Sequence, residues 1–307
     1  MKPQVSVIIV NWNTRNLLPL CLETLRTAAH AGAPIVYDVW VVDNASTDDS
    51  VEMVRTHFPD VHIIANRNNV GFAAANNQAM AQAEGDFFLL LNSDAVLMPG
   101  ALHALLNVAA NNPNAGIVGA RLLNPDGTFQ ASHTRFPTLL REALILSTLG
   151  RRLYGPMYPS AGPEVAAGPQ RVDYVEGACL LVRRAAWQAA GGMDEGYWMY
   201  AEEVDWCRRM AHVGWEVWYA PAATVLHWGG GSSHNRKVQR EADLYRSRVR
   251  FMRRWGGPLR ANVLKAMLFG ATAAKATAFA VQRRLGFGQP RNTPSLRQLA
   301  HALRDIE

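Results

Sequence analysis

Residues 36–50 read VYDVWVVDNASTDDS. The β-branched, apolar run over 36–42 is a buried strand, Asp43 ends it, and Ser46, Asp48 and Asp49 open a helix reaching to about Phe58. The same alternation continues outward in both directions. Upstream, residues 5–10 (VSVIIV) make a strand, and 16–29 a helix with leucines at 17, 18, 22 and 25. Downstream come a strand over 61–65, a helix over 73–83, a strand over 87–91, and a helix that starts at Pro99 and runs to about Ala110. Strands alternating with helices predict right-handed βαβ units, an α/β protein with a mostly parallel twisted sheet flanked by helices. Such sheets bind ligands beyond the carboxyl ends of their strands, where Asn11, Asp43 and Asp94 fall.

After residue 118 the pattern loosens. A Pro-Asp-Gly turn within 122–129 predicts a hairpin, and the Pro-, Gly- and Ala-rich stretch 150–170 reads as a loop over the site. Order returns as a strand over 172–182, a helix from Arg184, a helix over 200–213, and short strands at 215–219 and 224–228.

The chain has 307 residues, 49% of them hydrophobic and 18% charged, which supplies a proper core and excludes a disordered tail protein or a coiled coil. Cys21, Cys179 and Cys207 are too few and too scattered for a disulfide framework or zinc finger, so a reduced, cytoplasmic setting is expected. The opening MKPQVSVIIVNWN reads as a strand and not as a signal peptide. Residues 236–307 hold 16 Lys/Arg against 4 Asp/Glu, whereas 1–235 hold 15 against 21. An acidic body carrying a basic tail argues against nucleic acid as a partner and for an anionic surface met by the tail.

Four constellations carry chemistry. Asp43, at a strand end, can accept from the imide N–H of uracil or thymine, although Ser46 as a helix cap explains part of the motif. In LLLNSDAVL (89–97) three leucines run into Asn92-Ser93-Asp94, forcing Asp94 to the sheet edge, where a carboxylate can bridge Mg²⁺ or Mn²⁺ to a diphosphate. In YWMYAEEVDWCRRM (197–210) Glu202 and Asp205 are three apart on a helix, with Glu203 projecting about 100° away from Glu202. The helix dipole accounts for acids in a first turn, but Tyr197, Trp198, Tyr200 and Trp206 around them are platforms for sugar rings, and a carboxyl in partly apolar surroundings suits a general base. Finally, His227 ends the strand of ATVLHWGGGSSHN (223–235), where its imidazole can complete a metal shell begun by Asp94. No G-x-x-x-x-G-K-[ST] loop, G-x-G-x-x-G turn, G-x-S-x-G elbow or H-E-x-x-H pair occurs, which leaves sugar-nucleotide chemistry without a phosphate loop.

The tail is helical. Tyr245, Val249, Met252 and Trp255 share one face, Gly256-Gly257-Pro258 breaks the helix, and a second follows over 259–284 with Leu264, Met267, Leu268, Ala271, Ala274, Ala278 and Val281 in a stripe. Lys265 and Lys275 make its apolar window a poor membrane span. It fits an interfacial helix, or an amphipathic helix packed on the domain or on a second subunit as in a homodimer.

VSVIIVNWN, VVDNASTDDS, NNVGFAAANNQAM, LLNSDAVL, the acidic helix and VLHWGGGSS occur in the order found in family 2 glycosyltransferases of the GT-A fold, and most resemble the rhamnosyltransferase-like branch. The resemblance covers about residues 4–235 and implies a catalytic domain over 1–235, with a nucleotide-binding half (1–120) and an acceptor half (121–235), before a basic amphipathic tail over 236–307. It implies that Asn11, Asn13 and Asp43 line the base pocket and that Arg67, Gly71, Phe72 and Asn76 frame the nucleotide. Asn92-Ser93-Asp94 stands where the family has D-x-D, with Asp94 as metal ligand, Asn92 facing the ribose, and His227 completing the metal or diphosphate contacts. The acidic helix matches the family's Glu-Asp, whose Asp is the base; here that position is Glu203, preceded by Glu202, with Asp205 as fallback. The implied reaction is inverting, Mg²⁺- or Mn²⁺-dependent transfer of a hexose or deoxyhexose, rhamnose favoured, from a dTDP- or UDP-sugar to a saccharide or lipid-linked acceptor hydroxyl, at the inner face of the cell membrane. A sugar nucleotidyltransferase would carry a Gly-rich basic loop after the first strand, which NWNTRNLL is not; a non-catalytic sugar-nucleotide-binding protein of the same fold is the other alternative.

Overall fold

A computed structural model describes residues 2–30, 32–160, 162, 168–230, 237–284 and 295–304. Its elements are β1 (Val5–Asn11), α1 (Leu18–His30), β2 (Tyr37–Asp43), α2 (Ser50–His57), β3 (His62–Ala65), α3 (Phe72–Met80), β4 (Phe87–Asn92), β5 (Ala95–Leu97), α4 (Ala101–Asn111), β6 (Ala115–Leu123), β7 (His133–Thr134), α5 (Leu139–Leu146), α6 (Leu149–Tyr154), β8 (Gln170–Val172), β9 (Tyr174–Val175), β10 (Cys179–Arg183), α7 (Arg184–Ala190), α8 (Glu202–His212), β11 (Glu216–His227), α9 (Lys237–Arg284) and α10 (Leu296–Ala302).

A nine-stranded sheet runs β3-β2-β1-β4-β10-β6-β11-β5, with β8 also on β11. The pairs β3/β2, β2/β1, β1/β4 and β6/β11 are parallel; β10 is antiparallel to both β4 and β6. Successive side chains of β1 leave the sheet on opposite faces. Val5, Val7 and Ile9 join a core with α1, α2 and α4, and Ile8 joins another with α3, α7 and α8. Both faces being covered, β1 needs a continuous apolar run, which is what makes it legible. Burial raises all three thiols, Cys179 and Cys207 to about 12, so none is a reactive thiolate at neutral pH.

Four departures from the sequence expectations have local causes. Helix α2 starts at Ser50, not Ser46, because Asp49 sits in the left-handed region (φ 59°) and the Asp48 carboxylate accepts from the Ser50 N–H at 3.2 Å. Helix α4 starts at Ala101, two residues after Pro99, because Gly100 turns the chain at φ 80°. The expected strand over 172–182 is three pieces, β8, β9 and β10: the Asp173 carboxylate accepts from Phe136 N–H at 2.8 Å, and the Glu176 N–H donates to Ser132 O at 3.0 Å. Conversely, the two short strands at 215–219 and 224–228 are one, β11, whose register shifts between Ala220 and Thr224, around Pro221, which has no N–H for the ladder. The hairpin at 122–129 forms as a turn closed by a Leu123–Phe129 bridge.

The chain divides into two compact units. The first comprises Met1–Phe136, Ser160–Gly196 and Glu202–Ser232 and contains the sheet; the second comprises Pro137–Pro159, Tyr197–Ala201 and Ser233–Glu307. The second is thus larger than a tail beginning at 236. Residues 150–154, expected within a loop, form α6 there together with Leu149; Leu149 and Leu153 lie one turn apart, and a Cβ at Gly150 would meet the Tyr158 ring, which is why a glycine stands inside this helix. Ser232 and Ser233, and 163–167 of the expected loop, lie outside the described residues.

Within the second unit, Tyr245, Val249 and Met252 of α9 are buried as their spacing implies, together with Ala261, Leu264 and Leu268 beyond the kink. Gly257 (φ 83°) followed by Pro258 makes that kink. Leu139 and Leu146 of α5 and Leu299 and Leu303 at α10 complete the core, and Arg248 pairs with the buried Glu142 at 3.2 Å. By length and composition alone α9 is long and apolar enough to cross a membrane, although Lys265 and Lys275 lie in its second arm.

Candidate active site

The carboxyl ends of β1 and β2 adjoin in register, Asn11 beside Asp43. The Asn11 amide donates to Asp43 Oδ2 at 2.8 Å and to Ser46 Oγ at 3.1 Å, while the Ser46 N–H donates to Asp43 Oδ1 at 2.9 Å. Asp43 and Asn11 are both buried, so the carboxylate is held in one orientation with lone pairs to spare. Asn13, at φ 53°, accepts from the Thr47 N–H at 2.8 Å and ties the first loop to the second. Asn44 donates to Gly71 O at 3.2 Å, which docks the start of α3 against this floor. Phe72 is half-buried there and Arg67 exposed; the Asn76 amide is held within α3 by Phe72 O at 2.9 Å.

The β4–β5 corner lies next to this floor, since the Thr14 hydroxyl sits 2.8 Å from Ser93 Oγ and also bonds Asn11 Oδ1. Strand β5 pairs antiparallel with β11, setting Ala95 opposite His227, and Trp228 N–H donates to Asp94 O at 3.1 Å. His227 Nε2 lies 3.2 Å from Asp94 Oδ1 and 3.2 Å from Asn92 Nδ2. Its tautomer follows from a residue that sequence reasoning missed. Gln130 donates through Nε2 to Asn124 Oδ1 at 2.9 Å and to His227 O at 3.2 Å, which leaves its Oε1, at 2.7 Å, to accept from His227 Nδ1–H. The Nε2 lone pair is thereby aimed at a carboxylate oxygen. That lone pair also faces a donor, Asn92 Nδ2 at 3.2 Å, so a cation bound there would draw on the imidazole and carboxylate electron pairs in place of the amide hydrogen. One carboxylate and one imidazole, with room in the shell for phosphate oxygens and water, is a donor set that fits Mg²⁺ or Mn²⁺.

Helix α8 brings a second cluster. Glu202, Glu203 and Asp205 are all buried, but differently. Asp205 Oδ2 accepts from Arg209 Nε at 2.9 Å, and that guanidinium also donates to Ala190 O and Gly192 O at 2.7 Å each, a lock between α8 and the end of α7. Glu202 Oε2 and Glu203 Oε2 have no hydrogen-bond partner among the described residues. Burial pushes the Glu202 carboxyl up to about 7, and pushes Glu203 well above the ordinary carboxylate range, helped by the charges of Glu202 and Glu176. Glu176 was not singled out from the sequence; its only signal is a Glu-Gly break in an apolar run. A Cβ on the neighbouring Gly177 would sit 3.7 Å from Glu203 Cγ and 3.8 Å from Cδ. The next residue, Ala178, accepts from the Asn92 N–H at 3.0 Å. The connection Asn92–Ala178–Gly177–Glu203 therefore sets the acidic cluster and the Asp94–His227 pair at the same end of the sheet. Of the aromatic residues expected beside the acids, Trp206 is buried and donates to Gly191 O at 2.8 Å. Tyr197 and Tyr200 belong to the second unit, under Arg250 and Arg240.

A family model described as glycosyl transferase family 2 matches residues 6–187, a span that includes the Asn11–Asp43 floor, Asn92–Asp94 and Glu176. The chain belongs to glycosyl transferase family 2. This glycosyltransferase is 30% identical, over 85% of its length and 89% of the relative's, to an N-acetylglucosaminyl-diphospho-decaprenol L-rhamnosyltransferase of Mycobacterium tuberculosis. It is 24% identical to the low-salt glycan biosynthesis hexosyltransferase Agl10 of Haloferax volcanii, over 74% of its own chain and 68% of the other. Among solved structures it resembles a mannosyltransferase from Pyrobaculum calidifontis in complex with GDP-Man and Mn²⁺, with TM-score 0.54, 18% identity, and 99% of this chain and 85% of that one covered. Staphylococcus aureus TarS with UDP matches at TM-score 0.52 and 15% identity, over 88% and 70% of the two chains. The GT-A fold expected from the motifs is thus the fold of the enzyme.

Proposed function

We propose that this glycosyltransferase transfers a deoxyhexose, rhamnose in first place, from a dTDP- or UDP-sugar to a hydroxyl of a lipid-linked saccharide, with inversion, acting from the cytoplasmic side at the membrane's inner face. The observation that carries the mechanism is the placement of a buried Glu203, its pKa raised, at the same end of the sheet as the Asp94–His227 pair, joined to it through residues 176–178. The M. tuberculosis relative's name supports the choice of donor sugar and acceptor class.

Asp43, oriented by Asn11, accepts from the edge of the base through its spare lone pairs, with Asn13 and the Gly71–Phe72 start of α3 beside it and Arg67 near the nucleotide; Asn92 faces the ribose. Asp94 and His227 hold Mg²⁺ or Mn²⁺, which when bound supplies Lewis-acid neutralisation of the leaving diphosphate. Glu203 takes the proton of the acceptor hydroxyl as its oxygen attacks the anomeric carbon from the side opposite the diphosphate. Asp205, engaged by Arg209, keeps α8 in place, so Glu203 is the base of choice between the two. The transition state has oxocarbenium character, and no covalent enzyme intermediate forms.

Thermal shift with dTDP, UDP and GDP and their sugars, each with and without Mn²⁺, tests the donor half. Stabilisation by dTDP or UDP that needs Mn²⁺ and disappears in Asp94→Ala is expected; stabilisation that survives Asp94→Ala overturns the assigned cation site. The anomeric configuration of the transferred sugar, read by NMR, decides inversion.

A further inference from the structure

We propose that the α5–α6 pair of the second unit is an interfacial anchor that seats the protein on an anionic lipid bilayer. The inference extends the proposed function, which has a lipid-linked acceptor, but its geometry stands without that reading.

Among the described residues, the large apolar side chains more than half exposed are Leu140, Leu153, Tyr154, Leu259 and Val281, and all five belong to the second unit. Three of them lie on α5 and α6. Helix α5 turns Leu139, Glu142 and Leu146 inward, which points Leu140, 70% exposed, away from the core. Helix α6 lies close to Tyr158, where a Cβ on Gly150 would come within 2.3 Å of the ring. Leu149, Leu153 and Tyr154 are left 43%, 62% and 67% exposed, Tyr154 stacked on Tyr158 with ring centroids 5.4 Å apart. Leu149 and Leu153 are one turn apart and share a face.

Charge decides what covers these side chains. Segment 137–159 contains Arg141, Arg151 and Arg152 and a single acid, Glu142, which is buried against Arg248. The exposed surface of the segment therefore presents leucines, a tyrosine and arginines beside Thr138, Ser147, Thr148, Pro156 and Pro159, with no carboxylate. Leucines reach the acyl boundary, a tyrosine ring suits the headgroup level, and arginine stems lie on apolar surface while their guanidinium groups meet lipid phosphates. A second copy is a poor occupant, since a two-fold contact would set this arginine-bearing, carboxylate-free patch against another copy of itself. The sequence pattern had drawn attention to α9 alone; α6 escaped because six residues are too few to show a period.

The test is flotation of the full chain with phosphatidylcholine vesicles, with and without phosphatidylglycerol. It uses neither donor nor acceptor, so its failure and failure of the glycosyl-transfer reading are separate results. The wild type should float with the anionic vesicles, and Leu149→Ser/Leu153→Ser/Tyr154→Ser should partition at least about tenfold less. Arg151→Glu/Arg152→Glu should lose the preference for phosphatidylglycerol. A second measurement holds if the triple variant folds poorly. Leu153→Cys can be labelled selectively with an NBD fluorophore, because the three native thiols are buried. Its emission should shift to the blue on anionic vesicles. A wild type that does not float, a triple variant that floats equally, or an NBD emission that stays aqueous each overturns the proposal. So does concentration-dependent dimerisation that vesicles leave unchanged and Leu153→Ser abolishes, which would give the face to a second copy.

Discussion

Asp43 and Glu203 are both buried carboxyls at the same end of the sheet, and their surroundings treat them in opposite ways. Asp43 has a donor on each oxygen, Asn11 on one and Ser46 on the other. Glu203 has an oxygen with no partner among the described residues, lies near Glu202 and Glu176, and binds its proton far more tightly than an ordinary carboxyl. A strand end supplies fixed geometry: the sheet register places the group and adjacent loops satisfy it. The first turn of α8 supplies instead an uncompensated site, whose carboxylate, once ionised, is a stronger base than an ordinary one. In the proposed mechanism, recognition falls to the first kind of site and proton transfer to the second.

The widest test of that contrast is substitution at two positions on α8. Glu203→Gln is expected to lower the transfer rate by about 10²–10⁴-fold while nucleotide binding by thermal shift persists. Asp205→Ala strips the partner from a buried guanidinium, so it should lower stability by about 3–5 kcal/mol with less effect on turnover of the folded fraction, and Asp205→Asn, which keeps an acceptor for Arg209, should cost less. If Asp205→Asn instead abolishes turnover in stable protein and Glu203→Gln does not, the roles are reversed.

A smaller effect comes from Glu202. Folding raises its pKa to about 7. Its contribution to stability is therefore largest at low pH and is lost as pH rises from the ordinary carboxylate range through about 7. Glu202→Gln should raise Tm by several degrees at about pH 8 and change it little near pH 4.5, by calorimetry at both. A variant equally shifted at both pH values would show that burial, not charge, sets its effect.

The smallest effect sharpens the comparison most. The charge of Glu176 adds to the proton affinity of Glu203. Glu176→Gln should move the acidic limb of the kcat profile to lower pH, with the plateau retained. An unmoved limb with a fallen plateau would mean that Glu176 contacts substrate.

Much of the fold was legible because β1, β2 and β4 are covered on both faces and so read as unbroken apolar runs ending in polar residues. The same property made Asn11, Asp43 and Asp94 stand out. What escaped was set by contacts distant in sequence. Gln130 fixes the His227 tautomer from 97 positions away, and nothing in its neighbours announces that. The break of the 172–182 run at Asp173 and Glu176 depends on Phe136 and Ser132, to which those residues bond. Asp205 and Glu203 differ in surroundings because only Asp205 meets Arg209, a distinction that helical spacing suggests but does not decide.

Strand β10 enters antiparallel between β4 and β6, and the stretch leading into it carries Glu176 and Gly177 while bonding the backbone of Asn92. One hydrogen bond and the three residues beside it thus work as a ruler between the Asp94–His227 pair and the acidic cluster. Surrounding loops can lengthen, shorten or change their side chains without altering that interval.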